Sequence, residues 1–116
     1  MSSNSPELPL PDAGEDGPYT LVGTATAKPG MADRLEARLV SLVQPTRKEP
    51  GVLAYHVHRD RADANRFVFY EAWRSLDDLR RHFDAPYVAS FLEDRHRYLE
   101  GDLEITWLRM VSKPAF

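Results

Sequence analysis

The feature that most constrains this 116-residue chain is a hydrophobic period that alternates between that of a strand and that of a helix along its length. Tyr19 to Ala27, rich in Thr, Ala and Val, reads as a strand that stops at the turn-forming Lys28-Pro29-Gly30. From Met31 the spacing changes: Met31, Leu35, Leu39, Leu42 and Val43 fall on one face of a helix, which Pro45 is expected to end or kink at about Gln44. Pro50-Gly51 opens a second strand, Val52 to Arg59. A polar loop, Asp60 to Asn65, joins it to a third, Arg66 to Arg74, so the pair reads as an antiparallel hairpin. Ser75 is a plausible helix cap. Leu76, Leu79 and Phe83 form one apolar stripe before Pro86; Val88, Phe91, Leu92 and Leu99 form another after it. A short helix, a bend and a longer helix follow from this, with Gly101 as the terminator. Leu103 to Met110 is the last strand.

The order β-α-β-β-α-β is that of a ferredoxin-like α+β fold with a four-stranded antiparallel sheet. One domain over residues 19–110 is expected. Residues 1–18 hold four of the nine prolines and few large apolar side chains, which makes a disordered or loosely attached tail. Residues 111–116 form a second tail. Helices cover one face of such a sheet, yet the third strand is apolar on both: Phe67, Phe69 and Trp73 point one way, Val68, Tyr70 and Ala72 the other. A homodimer, packed sheet to sheet, would cover the second face.

Several function classes are excluded or disfavoured. There is no cysteine, hence no disulfide, thiolate nucleophile or cysteine-ligated metal. The net charge is −3; the first 18 residues carry four acids and no Lys or Arg, and the rest is almost balanced. Nucleic-acid binding would need a concentrated basic face. No apolar run approaches the length of a membrane helix, and the N-terminus lacks the basic and apolar regions of a secretory signal, so a cytoplasmic protein without a membrane partner is expected.

Four segments, taken together, resemble the antibiotic biosynthesis monooxygenase family. They are Lys28-Pro29-Gly30 before an amphipathic helix; Glu49-Pro50-Gly51 leading to Tyr55; Phe69-Tyr70-Glu71-Ala72-Trp73; and His82, nine residues after Trp73. The resemblance spans roughly residues 19–110 and implies a dimeric α+β barrel with a cavity between sheet and helices in each subunit. It also implies oxidation of an aromatic polyketide, anthrone or quinol-type substrate by O2 with no cofactor. Relatives that degrade haem carry an additional Asn early in the first strand; Tyr19 to Thr24 has none, which disfavours that activity.

His82 and Glu71 are the candidate catalytic residues. A neutral imidazole can take a proton from a phenol, and a buried Glu with a raised pKa can act as a base. Either residue could instead be structural. Trp73, Tyr55, Tyr87 and Phe91 are candidate ligand-binding residues: the rings suit a planar aromatic, and the hydroxyls can orient its oxygen. For Trp73 and the tyrosines, core packing is the plainer reading. His56 and His58 share a strand face, but with no visible third ligand no metal site is expected. The leading expectation is a cofactor-independent monooxygenase. The alternatives are a non-catalytic ligand-binding or structural dimer of the same fold, or a polyketide cyclase or isomerase working by proton transfer alone.

Overall fold

A computed structural model describes residues 5–116. The strands are β1 (Tyr19–Thr26), β2 (Val52–Arg59), β3 (Arg66–Trp73) and β4 (Glu104–Arg109). They form one antiparallel sheet in the order β2-β3-β1-β4, the ferredoxin-like arrangement. Between them run α1 (Ala32–Val40), α2 (Val43–Arg47), α3 (Leu76–Asp84) and α4 (Pro86–Asp94). Of the 1–18 tail, residues 1–4 lie outside the described residues. From residue 5 on, Leu8 packs against the core, the Tyr19 hydroxyl donates to the Pro9 carbonyl, and Asp12 pairs with Arg109. Among the described residues no helix is long and apolar enough to cross a membrane.

One face of the sheet carries the core. Leu21 and Ala25 of β1, Phe67, Phe69 and Trp73 of β3 and Tyr55 of β2 all point inward and are buried. They meet Leu35 and Leu39 of α1, Leu79 and Phe83 of α3, and Val88, Phe91 and Leu92 of α4 in a single cluster. The opposite face carries Val68 and Tyr70, half-buried, and His56 and His58, exposed, with their rings 6.4 Å apart.

A register shift at the start of β2 decides what faces the core. Val52 lies opposite Trp73, but the next pair is Ala54 with Ala72, which leaves Leu53 as an extra residue. Side chains alternate along a strand, so the extra residue exchanges the faces of all that follows. Tyr55 is thereby placed opposite Glu71 on the inner face, and His56 and His58 turn outward.

Two expectations about the helices are corrected. The first helix breaks at Ser41–Leu42, before Pro45 rather than at it. There the Leu42 N–H bonds back only three residues, to Leu39, and the Ser41 hydroxyl bonds the Arg38 carbonyl. Pro45 then sits in the first turn of α2, where a missing N–H leaves no helical bond unmade. The final helix is also no longer than α3. Both span nine residues, and α4 passes into a single 3₁₀ turn, Arg95–Arg97. Leu99 is buried outside any helix, because its neighbours are engaged by the end of β1. Tyr98 accepts from Lys28, Glu100 donates to Thr26, and Ala27 pairs with Leu99. Backbone groups committed there cannot continue a helix, so Gly101 lies in the turn before β4 instead of ending α4.

The start of α3 is clamped to Pro50-Gly51. Ser75 caps the helix, its hydroxyl accepting from the Asp78 N–H at 3.2 Å. The Asp78 carboxylate is almost fully buried and takes hydrogen bonds from Ser75, Arg74 and Arg81. It lies against the open Cα of Gly51, whose φ is +84° and whose carbonyl accepts from the Arg74 N–H. Burial alone would raise the Asp78 pKa, but these donors outweigh it and hold the carboxyl below its ordinary value. This clamp brings Glu49, two residues before Gly51, up against His82 in the last turn of α3.

Candidate active site

A cavity of about 170 Å³ lies between the inner sheet face and the helices. Its floor is Tyr55 and Val57 of β2, Phe69 and Glu71 of β3, and Ile105 of β4. Leu39 and Leu42 close one side; Phe83, Val88, Phe91 and Leu92 close the other. At one end stand His82, Glu71 and Tyr55; at the other, Arg95, Asp102 and Pro6. A glycine helps to open this space. Gly23 faces the cavity floor, and a side chain there would fall inside the ring of Phe69, which lies directly over it.

His82 is nearly inaccessible to solvent, and its surroundings hold the ring by Nδ1. Nδ1 is 2.9 Å from Oε2 of Glu49, and Nε2 is 3.8 Å from Oε1 of Glu71. The ring is held among Trp73, Phe83 and Tyr55, at centroid distances of 4.7, 5.4 and 5.6 Å. Glu49 is itself oriented by Tyr87, whose hydroxyl donates to the same Oε2. Glu49 as a carboxylate can only accept, so the neutral imidazole meets it with Nδ1–H. That leaves the Nε2 lone pair on the side of the cavity and Glu71. A carboxylate behind a histidine in this way fixes both tautomer and ring orientation, and stabilises the imidazolium once a proton arrives.

Glu71 is a different kind of carboxyl. Burial pushes its pKa up; the charge of His82 and a 2.9 Å hydrogen bond from the Trp73 indole N–H oppose this only in part. The sign of the consequence is fixed. Above the ordinary Glu value of 4.5 the unfolded chain releases this proton while the folded chain still holds it, so folding stability falls as pH rises towards the raised value. We expect Glu71→Gln to remove that part of the slope in urea titrations from pH 4.5 upward, since its amide oxygen still accepts from Trp73. An unchanged slope would show that the carboxyl is not held protonated. The Tyr55 hydroxyl is also pushed above its ordinary pKa, by burial first and then by the charge of Glu71, so it stays a phenol and a donor.

Of the six residues singled out in the sequence, His82, Glu71, Tyr55 and Phe91 line the cavity together. Trp73 and Tyr87 stand one layer behind it: Trp73 is fully buried beneath His82 and serves Glu71, and Tyr87 serves Glu49. Sequence reasoning missed Glu49 as a partner of His82. Its Pro-Gly neighbours marked a turn, but no local signal relates it to a side chain 33 residues away. It also missed Arg95 and Asp102. Among the described residues no three His, Asp or Glu side chains converge as a metal site, and His56 and His58 lie on the other sheet face.

The chain is similar in sequence and in fold to known proteins. The profile of the antibiotic biosynthesis monooxygenase family matches residues 18–94. An uncharacterized protein of Synechocystis, sll1783, is 33% identical over 101 residues, which is 87% of this chain and 69% of that one. Among solved structures, PA3566 from Pseudomonas aeruginosa is 36% identical, with a TM-score of 0.79 over 84% of this chain and 98% of its own. Rv0793 from Mycobacterium tuberculosis, 21% identical, shares the fold, with a TM-score of 0.80 over 85% of this chain and all (100%) of its own.

Proposed function

The chain belongs to the antibiotic biosynthesis monooxygenase family, and on that premise we propose that it oxidises a small aromatic substrate with O2, using no cofactor and with His82 as the base. The observation that carries the proposal is the Glu49–His82 pair, which turns the Nε2 lone pair towards an apolar cavity beside Glu71.

Ground-state O2 reacts slowly with closed-shell molecules, so the substrate must supply electrons itself. A phenol or quinol whose proton passes to Nε2 of His82 becomes an electron-rich anion. The apolar walls withhold water from that anion and so keep it reactive. One electron passes to O2, the two radicals combine at a ring carbon, and a hydroperoxide forms. Loss of water from the hydroperoxide leaves a carbonyl. One oxygen atom ends in the product and the other in water, with all four electrons drawn from the substrate. Tyr55 orients the substrate oxygen by its hydroxyl, Phe91 packs on the ring, and Trp73 and Tyr87 hold the two carboxyls in place.

The volume favours a single ring: an engineered cavity of about 150 Å³ is known to hold a benzene. Quinols therefore suit the site better than three-ring anthrones. An oxygen electrode with a panel of both is the test, and we expect one O2 consumed per substrate molecule. No uptake above the uncatalysed rate would reject the monooxygenase. Substrate conversion without O2 would favour a cyclase or isomerase, and binding without conversion a ligand-binding module.

We further propose that a second copy covers the outer sheet face, where Val68 and Tyr70 are only half-buried and Leu108 is exposed. Sedimentation at micromolar concentration should give the mass of a dimer; a monomer mass would reject this.

A further inference from the structure

The cavity is polar at both ends, and the proposed oxidation uses only one of them. The inner-face register measures their separation. Glu71 lies level with Leu21 and Trp107, and Phe69 level with Gly23 and Ile105. Leu103 is one further pleat along, adjacent to Asp102. The Trp107 and Leu103 levels are thus four residues apart, about 13 Å of strand.

Arg95 lines the far end with only 15% of its side chain exposed. Its Nε–H and one terminal nitrogen bond the two oxygens of Asp102, at 2.7 and 3.2 Å. The other terminal nitrogen bonds the Leu92 carbonyl at 2.6 Å. A guanidinium has five N–H donors. Two remain without a partner among the described residues, one on each terminal nitrogen. Asp102 is half exposed, so water screens its charge, whereas Arg95 is largely buried at an apolar wall.

We infer that Arg95 is a second ligand subsite, which receives a carboxylate at the far end of a phenolic substrate whose hydroxyl sits at His82. The substrate class is then a single-ring phenol or quinol with a short acidic side chain. The pose rests on the proposed role of His82. The plain alternative is that Arg95 only ties the end of α4 to the turn before β4 through Leu92 and Asp102.

Anaerobic calorimetry separates the two. The probes are 3-(4-hydroxyphenyl)propanoate and 4-propylphenol, which differ in the carboxylate. We expect the acid to bind at least about tenfold more tightly, as a charge-assisted hydrogen bond allows. In Arg95→Met the gap should close, with 4-propylphenol unaffected. In Asp102→Asn, which frees the guanidinium of its competitor, the gap should widen. Equal affinities in the wild-type protein, or a gap that survives Arg95→Met, would overturn the subsite. If Arg95→Met does not fold, Asp102→Asn decides, and an unchanged gap there would overturn it. Oxygen plays no part in these titrations. A gap that follows Arg95 in a protein that consumes no O2 would reject the oxygenase and keep the subsite.

Discussion

Replacing His82 by alanine should lower O2-dependent turnover by about 10²- to 10⁴-fold, the range of a general base in the rate-limiting step. The loss is expected in kcat as well as in kcat/KM, because the cavity walls that bind the ring are left in place. The variant should still fold. Without the imidazole, Glu49 keeps the Tyr87 hydroxyl and Glu71 keeps the Trp73 indole N–H, so neither carboxyl is stranded. Glu49→Gln should fall between the variant and the wild type, since an amide can turn either its oxygen or its nitrogen to Nδ1 and no longer stabilises an imidazolium. Activity of His82→Ala within about twofold of wild type would remove the histidine from the chemistry, whatever the substrate proves to be.

The largest effect on stability is expected at Gly51, which touches no substrate. Gly51→Ala places a Cβ on a residue with φ of +84°, a conformation that costs a non-glycine residue about 1 kcal/mol or more. The same Cβ would collide with the Asp78 carboxyl group. That group cannot simply swing away: it is buried, and it is tied to Ser75, Arg74 and Arg81 at the first turn of α3. Moving it breaks those bonds or displaces the helix. Together these effects should cost about 3 kcal/mol, read as a fall in the urea midpoint with an unchanged slope. A loss below about 1 kcal/mol would show that the clamp gives way easily. Because the clamp also seats Glu49 against His82, the folded fraction of Gly51→Ala should be impaired in turnover too.

The sheet was legible in the sequence because its signals are local. Thr- and Val-rich β1 ends at Lys28-Pro29-Gly30, and the hairpin of β2 and β3 closes over a loop of polar residues, so each strand is found within a residue or so of its place. Ser75 marked the start of α3 in the same way. Two of the misses are cases where a distant partner decides. Leu99 has helical spacing from Leu92, yet β1 captures the backbone around it. The extra residue at Leu53 has no sequence mark, and it alone turns Tyr55 inward.

The candidate site divides along the same line. His82 and Glu71 could be chosen from residue type and family pattern, and the fold brings their side chains to 3.8 Å. Their roles could not be chosen, because a histidine is defined by what holds its other nitrogen. Glu49 does so from the other side of the hairpin, and Arg95 lines the cavity from the residue that follows α4.

The central claim is that neutral His82 carries its proton on Nδ1, towards Glu49, and offers a bare Nε2 to the cavity. It can be tested without knowing the substrate. Nitrogen-15 NMR of the imidazole in histidine-labelled protein, with His82→Gln to assign the signal, reports which nitrogen holds the proton once the ring is neutral. The account predicts a protonated Nδ1 and an unprotonated Nε2, and a shift of that tautomer signal in Glu49→Gln. A proton on Nε2 in the wild-type protein would contradict it, since that ring has no lone pair to turn on a phenol.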